Sequence, residues 1–238
     1  MASQHDLLAL REANTWLLDP VERAVSEIET GRFFDWLGNV TSAQQLSPMA
    51  SQIFLHSASL PRIIGMMLAC TPLRRGELYR VYSQHAHEEA DHHLLLLDWM
   101  LQHRIISSPE AAYDTNPTPA TAACINIGYE LACTHDHDAW LGVMNTAVEL
   151  CFHRLFLTAA RRTRQIGCPH SYFDVHVHAD AHHSVMGLGY LSPSLSQKQR
   201  EKIVHRSLQA VALWSAMVDS WMPAIPDGVG SEAKRSSL

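Results

Sequence analysis

Two short stretches of this sequence concentrate side chains that bind transition metals: HAHEEADH at residues 85–92 and HVHADAHH at residues 176–183. Aligned, both read His-x-x-x-acid-x-x-His, as His85, Glu89, His92 and as His176, Asp180, His183. On an α-helix, positions four and seven apart differ by roughly 40° and 20° in azimuth, so each triplet projects from one narrow face. Glu88 lies within reach of the first face. Imidazole and carboxylate at this density suit iron, manganese or zinc; calcium and magnesium take oxygen ligands. Helical bundles build carboxylate-bridged di-iron sites from facing helices, two of which carry an acid-x-x-His step. Glu89–His92 and Asp180–His183 both have that step. Glu149, in the apolar stretch NTAVELCFHRLF, is a further acid that should face the core. Burying it alone is costly, and a metal is a natural partner. His153, one turn on, is a candidate to support the ligands or touch substrate. The plainer alternative is a solvated polar stripe on each of two amphipathic helices. It does not account for identical spacing in two segments, each joined to strongly apolar sequence, LLLLDWML and VMGLGYL.

The elements that must position these residues all read as helices. Val21–Val40 carries apolar residues near the helical period, and prolines at Pro48 and Pro61 mark expected helix starts. A long helix is expected over Leu73–His103, then one loop at Ser107–Pro119, which holds three prolines. Further helices are expected over Ala120–Thr134, Asp138–Arg164, Ser171–Gly187 and Ser196–Met222. No run shows the alternation of a strand. The expected fold is all-α: a single-domain bundle of about seven to eight helices over residues 1–222, with a disordered tail at 223–238.

Composition narrows the function. The chain has 238 residues, 47% of them apolar and only 18% charged, so it can build a thick interior. A net charge of −6 argues against a nucleic-acid footprint, which is basic and clustered. The apolar runs are too short to cross a bilayer, and the N-terminus lacks the basic-then-apolar pattern of a signal peptide. Five cysteines with no CxxC pair suit a reduced compartment, so the cytoplasm is the expected location. The expected partners are a small-molecule substrate and, as a homodimer, a second copy of the chain; neither membrane nor nucleic acid is expected.

With those residues in place, the sequence resembles the heme-oxygenase-like di-iron oxidases, which share the heme oxygenase and thiaminase II architecture. His176-x3-Asp180-x2-His183 matches the motif of that family's third core helix. His92 with LLLLDWML resembles its first core helix, and Glu149 matches the lone glutamate of the second, over roughly Leu73–Tyr190. Several members place a glutamate seven residues before the first-helix histidine, where this chain has His85. Either His85 binds metal in its place, or Glu88 or Glu89 supplies the carboxylate. The resemblance implies two Fe(II) ions and O2 as co-substrate, with no catalytic side chain beyond the ligands His85, Glu88, Glu89, His92, Glu149, His176, Asp180 and His183. It implies oxidation of a small carboxylate-bearing substrate in natural-product biosynthesis, by C–C or C–N cleavage or rearrangement to an alkene, nitrile or N-oxygenated product. An amino acid is the favoured class, an aromatic one such as a tryptophan derivative included. Phe152, Trp140 and Tyr190 are candidates for its pocket, and Arg154, Arg161 or Arg162 for its carboxylate. Gly187 and Gly189 would let the chain approach substrate closely, bend, or simply end a helix.

Two alternatives remain at this level. A metal-free hydrolase resembling thiaminase II would need Cys133 or Cys151 as nucleophile together with a glutamate. A non-catalytic iron-binding protein would need only the ligands. Haem degradation is disfavoured, because the N-terminal region offers no histidine other than His5.

Overall fold

Helix signals in the sequence translate directly into element boundaries. The computed structural model describes residues 4–223. Proline sits in the first turn of α4 (Ser47–Ala69), α7 (Pro109–Tyr113) and α8 (Pro119–Thr134), where its missing N–H breaks no helical bond. Thr118 caps α8 by accepting from the Thr121 amide, and His170 caps α11 (Ser171–Met186) by accepting from the Tyr172 amide. Ser196 and Gln199 form a reciprocal capping box at α12 (Gln197–Asp219). With α1 (Gln4–Ala13), α2 (Thr15–Glu29), α3 (Arg32–Asn39), α5 (Gly76–Glu89), α6 (His92–Gln102), α9 (His137–Gly142) and α10 (Glu149–Gln165), the result is an all-helical bundle of about eight major helices. No strand occurs among the described residues.

The bundle packs α10 on α11, α4 on α5 and α8, and α12 on α2 and α8. One cluster of buried apolar residues runs from Leu17 to Trp221 and includes Trp99, Trp140 and Trp214. Trp221 donates to the Thr121 hydroxyl at 3.0 Å and so ties the end of α12 to the start of α8. Among the described residues, no helix is long and apolar enough to cross a membrane.

Several expected boundaries shift, each for a local reason. The helix expected over Val21–Val40 is broken by extended backbone at Gly31, where α3 begins. Pro61 starts no helix; it lies inside α4, which α5 and α8 clamp from both sides, so packing overrides the proline's preference. The long helix expected over Leu73–His103 pauses at Ala90–Asp91. Between Ser83 and Asp91 only His85 and Glu89 are buried, and of the apolar side chains there only the small Ala86 packs against the core. The Ser107–Pro119 loop contains α7 and is pinned by Gln52, which donates to the Asn116 carbonyl and accepts from the Thr118 amide. The Asp138–Arg164 helix contains a π-helical stretch, Val143–Val148, directly before Glu149. Residues 224–238 of the expected tail and the side chain of His5 lie outside the described residues.

At Gly142, where α9 meets the π-helical stretch, an added Cβ would lie 2.4 Å from Ile203 Cγ2 on α12. Gly142→Ala is therefore expected to destabilise the protein by about 1–3 kcal/mol through overpacking, read as a lower urea midpoint with an unchanged slope.

Candidate metal centre

Four helices aim ligand-type side chains at one interior region. Helix α5 supplies His85 and Glu89, α6 supplies His92, α10 supplies Glu149, and α11 supplies His176, Asp180 and His183. All seven are buried. Three overlapping triads result: His85–Glu89–His183, Glu89–His92–His176 and Glu149–Asp180–His183. Within each, one candidate ligand atom per residue lies within 4.8 Å of the others. His85 Nε2 is 3.3 Å from Glu149 Oε1, and His183 Nδ1 is 3.4 Å from Glu89 Oε1. His92 Nδ1 is 2.9 Å from Glu89 Oε2. The break after Glu89 thus still leaves His92 beside it. Glu88 belongs to none of the triads; half-exposed, it meets His183 Nε2 at 2.8 Å, on the far side of the ring from Nδ1.

Burial and mutual charge set the protonation of this cluster. Burial pushes the Asp180 carboxyl well up, and the neighbouring charges of Glu149 and Glu89 push it further. Burial would also raise Glu149, but the imidazoles of His183 and His85 beside it outweigh that and hold Glu149 below the usual carboxylate range. His183 shows the reverse balance: burial lowers its imidazole, yet Glu149, Glu89 and Glu88 raise it to about 9. Burial lowers His176 to about 4, so it is neutral at pH 7. Its Nδ1–H donates to the Tyr172 carbonyl at 2.7 Å, which leaves Nε2 unprotonated, as a metal ligand must be.

A nitrogen-and-oxygen donor set of this kind fits iron. Three of its atoms, His85 Nε2, His183 Nδ1 and Asp180 Oδ2, are buried without a hydrogen-bond partner. Such orphans are costly in a protein interior, and cations held among the triads would satisfy them. No cysteine joins the triads.

Beside the triads lies a narrow cavity of about 20 Å³, lined by Glu89, Glu149, His176 and Asp180 on one side. Leu60, Val148, Phe152 and Phe156 provide its apolar wall, and His56 and Ser57 its remaining polar surface. Of the four expected pocket residues, Phe152 is at this cavity, while Trp140, His153 and Tyr190 are not among its lining. The arginines are corrected as well. Arg154 faces Glu29, Arg162 donates to the Val40 carbonyl, and Arg161 is exposed; none lines the cavity. Gly187 packs against the side chains of Leu141 and Asn145, so its close approach is to the protein itself and not to a substrate. Sequence reasoning missed His56, a buried imidazole held neutral by burial at about 4. The signal was present: in QIFLHSASL it stands three residues from Ile53 and four from Leu60, on the apolar face of α4.

The sequence profile of a family described as iron-containing redox enzymes matches residues 47–215. No functionally curated protein matches the chain. Among solved structures, a domain of unknown function with a heme oxygenase-like fold from Shewanella denitrificans is similar at a TM-score of 0.70 and 17% identity, covering 84% of this chain and 88% of its own. A TenA homologue from Pseudomonas syringae pv. tomato is similar at a TM-score of 0.72 and 11% identity, covering 86% and 90%. A TenA homologue from Pyrococcus furiosus is similar at 0.63 and 10% identity, covering 86% and 97%. At such identities the likeness is one of fold.

Asp180 gives a test of the buried charge. A carboxyl raised above its unfolded value favours folding while protonated and costs stability as pH rises from the unfolded toward the folded pKa. Asp180→Asn removes that penalty. At pH 7 without metal it is expected to be more stable than the parent by about 1–3 kcal/mol in urea denaturation. The gain should vanish at acid pH, where both states of Asp180 are protonated.

Proposed function

The chain belongs to the family of iron-containing redox enzymes and has the heme-oxygenase-like fold; on that premise we propose that it is a non-haem di-iron oxidase that uses O2 to oxidise a small carboxylate-bearing substrate, with an amino acid the favoured class. The observation that carries this reading is the convergence of seven buried ligand-type side chains into overlapping triads, three of whose atoms lack partners. His85, His92, His176 and His183 are assigned as nitrogen ligands. Glu89, Glu149 and Asp180 are assigned as anionic ligands that offset the charge of two cations. Glu89, common to two triads, can serve both ions. Glu88, at the outer nitrogen of His183, orients that ring.

Two ferrous ions held there would supply the redox chemistry by which O2 is activated. The chain does the rest. Leu60, Val148, Phe152 and Phe156 give the cavity one apolar wall opposite the ligands. The neutral ring of His56, 4.6 Å from Phe152 between ring centroids, offers the substrate an uncharged hydrogen-bonding group. No Lys or Arg lines the cavity. The substrate's carboxylate therefore has no side-chain cation there and is assigned to the metal side.

The cysteine-hydrolase alternative loses its nucleophile. Cys133 is exposed and away from the cavity, and burial raises the Cys151 thiol well above its usual range. The thiolate is the reactive form.

Anaerobic titration with Fe(II) is expected to give two bound ions per chain, and a protein that binds none overturns the proposal. Mixed with O2 in the presence of a panel of amino and fatty acids, the loaded protein should form product with one class of acid. O2 uptake without any organic product would make it an iron-binding protein instead. Glu149→Gln should lose at least one ion and lower turnover by about 100-fold or more. Because His183 is protonated below about pH 9 before metal arrives, binding must expel that proton. Asp180, in the same triad, carries a second proton that the metal must expel, so apparent affinity at the ion held by both should rise by more than tenfold, up to about 100-fold, per pH unit from pH 7 to 8, as read by chelator competition.

A further inference from the structure

Asn145 is fully buried in the π-helical stretch and has no place in the ligand set, yet its side chain is held against a ligand. Its Nδ2 donates to His85 Nδ1 at 3.2 Å, while its Oδ1 is buried with no partner. Gly187 fixes it from behind: a Cβ there would stand 3.1 Å from the Asn145 Cβ. The Thr146 hydroxyl donates to the Leu141 carbonyl at 3.0 Å and braces the same turn. The other nitrogen of His85, Nε2, faces Glu149 Oε1 at 3.3 Å.

A neutral imidazole carries one proton, and the nitrogen that binds metal must be the bare one. With Nε2 on the metal side, Nδ1 carries the proton and needs an acceptor. Among the described residues, the side chain hydrogen-bonded to Nδ1 is Asn145 alone. A half-turn of the amide exchanges Nδ2 for Oδ1 and supplies that acceptor. We infer that Asn145 is a positioning residue for His85, switching from donor in the metal-free protein to acceptor in the loaded one, and so presenting Nε2 to the metal. A carboxylate at this position would serve only the loaded state and would add a fourth acid to Glu89, Glu149 and Asp180. The amide serves both states without charge. π-helical stretches are frequent at functional sites, and this one places the amide four residues before Glu149.

The inference rests on the reading of the centre as a metal site, and the test separates the two. Wild-type protein, Asn145→Ala, Asn145→Leu and Asn145→Asp are titrated anaerobically with Fe(II), with folding checked by circular dichroism. Asn145→Ala and the bulkier Asn145→Leu are expected to bind one of the two ions about 10–100-fold more weakly and the other unchanged. Asn145→Asp, which can accept, is expected to bind at least as tightly as wild type. In Zn(II)-loaded wild type, nitrogen-15 spectra should show His85 protonated at Nδ1 and metal-bound at Nε2. Alanine, leucine and wild-type proteins of equal affinity, an aspartate variant as weak as the alanine one, or metal on Nδ1 overturns the inference alone. A wild-type protein that binds no metal overturns the function proposed above along with it.

Discussion

Glu89, Glu149 and Asp180 carry three carboxyl groups into an apolar interior, where each would destabilise the fold if left charged and alone. The imidazoles around them relieve part of this. His85 and His183 hold Glu149 ionised, and Glu149 in turn holds a proton on His183. Asp180 has no such partner and retains its proton through burial and the nearby acids. The metal-free centre is thus a balance of protons standing where cations would go. A balance of this kind exists only because four helices are packed closely enough to enforce it. It also makes the protonation state of the cluster and its affinity for metal two aspects of one equilibrium.

The departures from ideal helix geometry gather around that centre. Helix α5 stops at Glu89 and α6 starts at His92, so the chain bends between two ligands. The π-helical stretch ends where Glu149 begins. Helix α11, which supplies three ligands, is regular through all of them and ends in Gly187, whose missing side chain lets it settle against Leu141 and Asn145. Local irregularity at a site, supported by regular packing elsewhere, is the pattern expected when function rather than stability dictates backbone placement. The support here is aromatic. Tyr172 and Phe156 press on the ring of His176, with centroids 4.3 and 4.4 Å away, and fix the imidazole that the Tyr172 carbonyl orients.

The cavity beside the ligands is apolar on one wall and anionic on the other, with His56 and Ser57 completing it. The Ser57 hydroxyl is 3.3 Å from that of Tyr172, which links the pocket to the packing behind His176. Because cationic side chains point elsewhere, selectivity in this pocket depends on shape and on a neutral imidazole rather than on ion pairing within the protein. Arg154 and Arg162 serve the outer surface of α10, tying it to α2 and to the end of α3.

Much of this was legible in the residues themselves. Helical periodicity, proline at helix starts and the absence of strand patterning gave the all-α class, and the paired His-x3-acid-x2-His spacings marked two stretches that had to face each other, the first of which spans the end of α5 and the start of α6. Glu149 stood out because an acid in apolar surroundings needs a partner. The sequence could not choose between Glu88 and Glu89. Neighbouring residues on a helix differ by roughly 100°, so a small rotation decides which turns inward, and packing buries Glu89 while leaving Glu88 at the rim. Nor could it find the pause at Ala90–Asp91 or the role of Gly187, since these depend on what other helices press against. His56, from a helix with no motif, and the outward course of the arginines were decided by tertiary structure alone. Spacing along a chain records which groups share a face; only the approach of separate helices determines what that face meets.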